Sequence, residues 1–271
     1  NGFTVTISSG DGAITSDDVD DLELSYNIIA GGARGITLES GGDSIALLHN
    51  DIYGESTGIH VASAAYASMQ IEGNYVDAAD HWYGIYAHGD GTVDGFELRD
   101  NVLYALSNIA ASITDGVVSG NTFDMELDFD GYYSIIIALH ATSTVSSNTF
   151  DGHGNSGGLA LWGTQYGHPP SDDTTIANNT FNDCVYGIKL SPGNDTIIIE
   201  TNNAFNNVGN DVERAAYISG APTVWYGLHV AIDAAGDDAV VNVAPGTYDG
   251  GVNLTKGLTL LCAGMDSSLI E

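Results

Sequence analysis

A short phrase, asparagine followed by any residue and then an apolar residue, recurs along most of this 271-residue chain. Its copies read YNII, HNDI, GNYV, DNVL, GNTF, SNTF, NNTF and NNAF, and they lie 20 to 31 residues apart. Their asparagines are Asn27, Asn50, Asn74, Asn101, Asn121, Asn148, Asn179 and Asn203. Such a period is typical of a solenoid, in which each repeat buries its apolar face only against its neighbours.

Each copy has room for three short strands and three turns, and a second strand usually begins with a Gly-Ile-like pair. These pairs start at Gly35, Gly58, Gly84, Gly158 and Gly187, while Asn108-Ile109 and Ser134-Ile135 depart from the pattern. Alternating residues such as Ile36 and Leu38 are expected to point inward. A β-sandwich would give strand signals about every 8–12 residues without so long a corner repeat. The pattern therefore predicts an all-β protein, a parallel β-helix.

The repeat also assigns structural roles to individual residues. Asparagine suits the left-handed or bridge conformation of a tight turn, so we expect the eight asparagines to form the corners. Stacked asparagine side chains can also hydrogen-bond from coil to coil. The phenylalanines of the last four copies fall in register, and we expect them to form an internal aromatic stack: Phe123, Phe150, Phe181 and Phe205.

The repeated NNTF phrase with its Gly-Ile strand resembles the right-handed parallel β-helix of the pectate-lyase-like superfamily, including its NosD-like and surface-protein branches. The resemblance covers about residues 1–213 and 237–271. It implies a scaffold that serves lyases, hydrolases, adhesins and passive walls, so it is specific for the fold and not for the function.

Residues 1–215 are expected to form β-helix coils, and residues 216–271 a helix with further coils. Val224, Leu228 and Ile232 recur at helical spacing, which predicts a short amphipathic capping helix over residues 223–235. Pro222 and Thr223 can start this helix, and glycine at 236 can end it.

The sequence AIDAA at 231–235, followed by PGTY at 245–248, is similar to the N-terminal cap of pectate-lyase-like domains, where it opens the domain. Here it lies near the other end, as if the order of segments were circularly shifted. Three explanations remain open: a slice of a tandem array, a protomer whose residues 237–271 are continued by residues 1–7 of the next copy, or a circular permutation. The two polymeric explanations are favoured, because terminal coils ordinarily need caps.

The chain is strongly acidic, with 5 Lys and Arg against 36 Asp and Glu and a formal net charge of −31. This balance argues against nucleic acid and anionic membranes as partners, because few cations are available to neutralise phosphates. No apolar run approaches the roughly 20 residues that span a bilayer, so no membrane insertion is expected. Acidity of this kind is compatible with salt-rich or calcium-bearing surroundings, and we expect an extracellular or cell-surface location.

One string is similar to an enzyme motif. Gly152-His153-Gly154, with Gly187-Ile188-Lys189 further on, resembles the GHG and RIK-type motifs of polygalacturonases. Those enzymes also need paired aspartates as general acid and water activator, and the preceding coil lacks their phrases. His153 is therefore expected to fill a turn and Lys189 to be an isolated cation. A hydrolase or lyase that uses both residues remains the alternative.

Other candidate groups are weaker. The acidic runs at 17–21, 124–130 and 172–173 are compatible with Ca²⁺ but match no known calcium-loop spacing, so no cofactor is expected to be required. A sugar platform could be formed by Trp82, Tyr83, Tyr86, Trp162 and Tyr166. The two cysteines, Cys184 and Cys262, are expected to be buried thiols.

These observations favour a structural protein over an enzyme. The first hypothesis is a self-assembling sheath, surface-layer or fibre component whose partners are copies of itself, joined by end-to-end stacking of β-helices. The alternatives are the polysaccharide-degrading enzyme above and a glycan-binding adhesin, for which carbohydrate would be the partner.

Overall fold

The computed structural model describes residues 3–7, 12–17, 19–39, 42–62, 66–87, 93–125, 133–140, 143–161, 171–191, 194, 196–248, 251–264 and 267–270. It shows an all-β protein, a parallel β-solenoid of about nine turns with one short helix. The fold predicted from the repeat is thus confirmed.

Three parallel sheets, one for each side of a coil, run along the solenoid. Sheet A holds β1 (Thr4–Ile7), β4 (Ile28–Gly31), β7 (Asp51–Tyr53), the first parts of β10 (Tyr75–Ala87) and β13 (Val102–Thr114), β15 (Thr122–Asp124), β18 (Thr149–Asp151), β21 (Thr180–Asn182) and β24 (Ala204–Asn206). Each strand is in register with its equivalent in the next coil. Residues at equivalent positions of the repeat therefore lie side by side on the same face of the sheet.

Sheet B holds β2 (Gly12–Ser16), β5 (Arg34–Leu38), β8 (Thr57–Val61), the later parts of β10 and β13, β16 (Tyr133–His140), β19 (Gly157–Leu161), β22 (Tyr186–Leu190) and β25 (Asn210–Glu213). Sheet C holds β3 (Glu23–Ser25), β6 (Gly42–Leu48), β9 (Tyr66–Glu72), β11 (Val93–Asp94), β12 (Glu97–Arg99), β14 (Val117–Ser119), β17 (Thr144–Ser146), β20 (Thr174–Ala177) and β23 (Ile197–Ile199).

The core lies inside the coils, where alternating apolar side chains from the three sheets meet. Ile36 and Leu38 of β5 are fully buried, as is Ile59 of β8, in agreement with the alternation in the sequence. One apolar cluster runs from Ala13 to Ala215 along the whole solenoid. Burial of apolar surface between successive coils, rather than within one coil, therefore stabilises the fold.

The tight turn between sheets C and A differs in one respect from the expectation. The left-handed conformation is adopted by the residue before seven of the eight corner asparagines, with φ between 50° and 70°, and none of the asparagines itself has a positive φ. These residues are Tyr26, His49, Gly73, Asp100, Gly120, Ser147 and Asn178. The left-handed residue thus lies one position before the asparagine, not at the asparagine as expected. This placement lets the asparagine side chain point into the solenoid, where all eight corner asparagines are buried.

A smaller unit follows the solenoid. Its strands are β26 (Ala216–Ile218), β28 (Ala239–Val243), β29 (Gly246–Tyr248), β30 (Leu258–Cys262) and β31 (Ser268–Ile270). Strand β28 is antiparallel to β26 and parallel to β30, and β29 is parallel to β31. The parallel pairs β28–β30 and β29–β31 are thus stacked like equivalent strands of successive coils. A second apolar cluster, from Ala216 to Tyr248, packs against them.

The helix begins later than predicted. Val224 is not helical: it lies in β27 (Val224–Trp225) and pairs antiparallel with Ile198 of β23. The helix α1 spans Leu228–Ala234. The prediction for Val224 is therefore wrong, because β-branched and aromatic side chains favour the open strand edge that β23 offers. Leu228 and Ile232 do lie on the buried face of α1, which packs on the second apolar cluster.

Candidate functional site

The corner asparagines form a continuous hydrogen-bonded ladder along the solenoid. Seven consecutive bonds, each from Nδ2 of one asparagine to Oδ1 of the next, measure 2.9–3.0 Å from Asn27 to Asn203. Each Oδ1 also accepts the backbone N–H of the preceding asparagine, as Asn101 does from Asn74 at 2.8 Å. Buried amides are tolerated here because every one of them is hydrogen-bonded; Asn203 at the end of the ladder donates to the carbonyl oxygens of Ile176 and Glu200.

The four phenylalanines that follow the corners form a column beside the ladder. Their ring centroids are 5.1, 4.6 and 5.1 Å apart from Phe123 through Phe150 and Phe181 to Phe205. The first three rings are fully buried, and Phe205 is partly exposed at the end of the column. The asparagine ladder and the phenylalanine column both stabilise the solenoid. Both run along its axis, and the exposed side chains of successive coils follow the same axis.

His153 lies in the turn after β18, is exposed, and has a φ of 48°. Its Nε2–H donates to Asp124 Oδ1 at 2.7 Å, and Asp151 Oδ1 lies 3.8 Å from Nδ1. The hydrogen bond to Asp124 raises the pKa of His153, and burial opposes this rise. The imidazole thus lies among carboxylates that favour its protonated form.

Lys189, the second residue of the enzyme-like string, is in a different pair. Its Nζ lies 3.4 Å from Glu213 Oε1 and 4.9 Å from the centre of the Tyr186 ring. His153 contacts the carboxylates of Asp124 and Asp151, which lie on strands of sheet A. Lys189 lies on sheet B and contacts Glu213. Each residue therefore has its own ion pair, and none of the described contacts joins the two. The expectation that Lys189 is an isolated cation is wrong, because the neighbouring strand brings Glu213 beside it.

A second histidine lies on the outer face of sheet B. His60 is stacked on Tyr86, with centroids 5.6 Å apart and planes 9° apart, and Tyr86 contacts Tyr83 at 4.7 Å. Burial, and then the charge of Arg34, lower the pKa of His60. Its Nδ1 is buried without a hydrogen-bond partner among the described residues, as is the hydroxyl of the adjacent Thr37. This group offers a neutral imidazole beside a guanidinium.

Sheet A carries a stripe of exposed aromatic and acidic side chains that the sequence analysis missed. Tyr75 lies in register between Asp51 and Val102, and Tyr53 and Tyr104 lie in register on either side of Asp77. The Tyr53 and Tyr75 rings are 5.9 Å apart. We call Tyr53, Tyr75 and Tyr104 the tyrosine stripe. The sequence does contain this pattern. The first and third positions after each corner asparagine point outward, and aligning the copies of the repeat would have shown the tyrosines at these positions.

The proposed sugar platform lies only partly within the described residues. Trp82 is exposed on β10, and Tyr83 and Tyr86 are on the same strand. Trp162 and Tyr166 lie outside the described residues. The platform as a whole therefore stays a prediction.

The acidic runs give no assembled metal site in the part of the chain that the structure describes. There, no group of three or more His, Cys, Asp or Glu side chains is placed to hold a metal ion. Asp18 and residues 126–130 lie outside that part. The expectation that no cofactor is required, with Ca²⁺ as a compatible ion, therefore stays a prediction.

The cysteines are both free thiols, but only one is buried. Cys184 is packed in the solenoid, and burial raises its pKa to about 12. Cys262 is exposed, so the expectation that it is buried is wrong. Among the described strands, its strand β30 pairs with β28 alone.

The first and the last described strands each pair on one side only among the described residues. Among the described strands, β1 pairs in sheet A with β4 alone, and β30 and β31 pair with β28 and β29 alone. Apolar side chains accompany these edges: Phe3 is 50% exposed, Leu261 57% and Leu269 52%. Unpaired N–H and C=O groups beside apolar side chains are a template for pairing with another strand.

Comparison with known proteins identifies the fold family. Within the described residues, no helix is both long and apolar enough to cross a membrane. A search of curated proteins finds no match. A family profile described as "Right handed beta helix region" matches residues 57–227, which is more than half of the chain. These residues include most of the asparagine ladder and the whole phenylalanine column, and the chain therefore belongs to the right-handed β-helix family.

Proposed function

We propose that the protein is an extracellular structural protein that associates end to end with copies of itself, as a component of a cell-surface sheath, surface layer or fibre. The observation that supports this proposal is that β1, β30 and β31 each pair on one side only among the described strands. A parallel coil can add to either edge by the same hydrogen bonds that join coils within the chain.

The interior of the solenoid supports this role. The asparagine ladder and the phenylalanine column repeat along the axis, so successive coils are joined both by polar contacts and by apolar burial. In such a rod each coil is joined to its neighbours by the same set of contacts. Such a rod suits a structural component better than a protein that must open and close.

The charge of the chain predicts how assembly depends on ionic strength. At a net charge of −31, copies repel one another unless salt screens the carboxylates. Association should therefore increase with salt concentration, since contacts between apolar side chains are not screened. A contact made mainly of ion pairs would weaken instead.

The test compares wild-type protein with a double variant, Leu261→Lys with Leu269→Lys, by analytical ultracentrifugation and electron microscopy across salt concentrations. Lysine on an exposed edge discourages strand pairing, and both side chains are more than half exposed, so the fold should tolerate the change. Wild type should form elongated oligomers, and the variant should remain monomeric.

The matched control is Ile28→Lys with Val102→Lys, which adds the same charge to exposed positions on the side of sheet A. This variant should assemble like wild type. A wild-type protein that stays monomeric at every salt and calcium concentration would overturn the proposal, as would equal loss of assembly in both variants.

A second function, glycan binding, is favoured by the tyrosine stripe. Tyrosine rings can stack on the apolar face of a sugar, and the neighbouring Asp51 and Asp77 carboxylates can accept hydrogen bonds from its hydroxyl groups. Burial, with the charges of Asp51 and Asp77, raises the pKa of Tyr53, so its hydroxyl stays neutral. The net charge favours neutral glycans over polyuronates.

Affinity electrophoresis in gels that contain neutral polysaccharides tests this second function. Wild type should be retarded, and the Tyr53→Ala, Tyr75→Ala double variant should not. Retardation by polyuronates alone, or retardation unchanged in the variant, would contradict it. Tyr226→Ala, a tyrosine outside the stripe, serves as the control.

A further inference from the structure

A cavity of about 600 Å³ lies where the solenoid meets the smaller unit. Its walls come from the last coil, through Phe205 and Val212, and from the strands that follow, through Tyr217 and Trp225. Pockets of this size between two structural units, with mostly apolar walls and a few polar groups, are the usual form of small-molecule sites.

The floor of the cavity is the end of the phenylalanine column. Phe181 covers one face of Phe205, with the ring planes 6° apart and the centroids 5.1 Å apart. Phe205 is only partly buried, unlike the three rings before it, and it lines the cavity. One aromatic face is therefore available to a ligand that reaches the floor.

Two further rings line the wall. Trp225 is held in place by β27, whose antiparallel pairing joins Trp225 to Ile197 of the last sheet C strand. Tyr217 of β26 meets Trp225 edge to face, with centroids 4.9 Å apart. The three rings come from separate strands, so the aromatic lining is fixed by the fold and not by one mobile loop.

Two acidic residues, Glu200 and Asp211, line the same cavity. Neither forms an ion pair with a cationic side chain in the part of the chain that the structure describes. Lys189, on the strand beside β25, is bound to Glu213. The cavity thus combines aromatic faces with negative charge that the described residues do not neutralise.

We propose that this cavity binds an organic cation with an apolar body, of the quaternary ammonium class. Aromatic rings attract such cations through their negative faces, Trp most strongly, and the attraction is larger where water is displaced. Glu200 and Asp211 add charge attraction, and the net charge of −31 concentrates cations around the protein. The same field disfavours anionic ligands.

The test uses the full chain and two probes of the same shape: choline, and 3,3-dimethyl-1-butanol, in which carbon replaces the charged nitrogen. Binding is measured by isothermal titration calorimetry and ligand-observed NMR. Choline should bind, and the neutral isostere should bind about tenfold more weakly or not at all. Choline binding should also weaken as sodium chloride is added, because salt screens the charge attraction.

The critical variant is Glu200→Gln with Asp211→Asn, which keeps the shape of the cavity and removes both charges. It should lose choline affinity by about tenfold or more while circular dichroism shows an unchanged fold. The matched control, Glu39→Gln with Asp94→Asn, removes the same charges from exposed positions elsewhere and should bind choline like wild type. Trp225→Leu should lower affinity in the same assay.

Three results would overturn the proposal: equal affinity for choline and its neutral isostere, binding that survives the loss of Glu200 and Asp211 charge, or a preference for methyl glucoside, which would make the cavity a neutral sugar site. Absence of choline binding to the wild-type protein would overturn it as well. The two probes are compared at one salt concentration, where the state of assembly is the same for both, so that comparison is independent of the proposed structural role.

Discussion

Asn121 donates its side-chain N–H to Asn148 Oδ1 at 2.9 Å, and the same oxygen accepts the Asn121 backbone N–H at 3.0 Å. One buried carboxamide oxygen thus serves two donors from the preceding coil. The arrangement recurs at each step of the ladder, so the corner that interrupts the apolar core is polar but fully hydrogen-bonded.

Substitution of Asn121 by alanine should destabilise the protein strongly. The buried backbone N–H of Asn101 loses its acceptor, and the carbonyl oxygen of Leu98 loses Asn121 Nδ2 as a donor. Each buried polar group left without a partner costs about 1–3 kcal/mol, so a loss of about 2–5 kcal/mol in the free energy of unfolding is expected. Urea denaturation followed by circular dichroism measures it.

The control is Asn206→Ala. Asn206 donates to Asn182 Oδ1 at 2.9 Å, a contact between the same two side-chain types that is exposed. Water replaces the lost partner there, and the change should stay within about 0.5 kcal/mol. Equal losses in the free energy of unfolding in the two variants would contradict this explanation, because burial would then not make the ladder hydrogen bonds more stabilising than the exposed one.

Gly158→Ala should destabilise the protein by overpacking. A Cβ at this position would clash with the carbonyl oxygen of Gly187 and lie 2.6 Å from the Phe181 ring. Neither neighbour can move without disturbing the sheet or the phenylalanine column, so a cost of about 1–3 kcal/mol is expected. Gly236→Ala, where nothing lies within 4 Å, is the control in the same thermal and urea unfolding experiments, and a comparable loss there would contradict this explanation.

The pKa of His153 should lie above 6.5 in the folded protein, because its Nε2–H donates to Asp124. The pair's contribution to stability is then complete below about pH 6.5 and is lost as the pH rises through the folded-state pKa. NMR titration of the imidazole measures the value. Asp124→Asn should lower it and Asp94→Asn should not; a His153 pKa that is the same in all three proteins would refute the pairing.

The two cysteines should differ in reactivity towards a thiol reagent such as dithionitrobenzoate. Cys262 is exposed and should react at once, whereas Cys184 is buried with its pKa raised to about 12 and should react only on unfolding. In Cys262→Ser protein, the remaining reaction should therefore follow the unfolding rate. Fast modification of Cys184 in the folded state would contradict its burial.

The repeat in the sequence was sufficient to predict the coil architecture. A fixed asparagine every 20 to 31 residues, with alternating apolar residues such as Ile59 and Val61, is satisfied by stacked coils and by few other folds. The position of the turn was less well predicted. It depends on backbone conformation at the residue before each asparagine, and those residues range from Gly73 to Tyr26 without a common side-chain property.

The candidate site was the harder part. The tyrosine stripe and the cavity depend on which coils are neighbours and on how the smaller unit is placed, and Phe205 and Trp225 are 20 residues apart in sequence. Helical spacing was misleading at Val224, because pairing with the free edge of β23 overrides a local preference.

The sequence by itself determined the all-β solenoid, the identity of its corner residues and the acidic surface, because these follow from periodicity and composition. Only the tertiary structure decided that β28 reverses direction against β26 and that an aromatic cavity with two acidic residues forms at this junction. The physical reason is that periodicity encodes contacts between equivalent positions of adjacent coils. Where the repeat stops, the contacts join segments that are not equivalent to each other. Such contacts cannot be predicted from a period in the sequence.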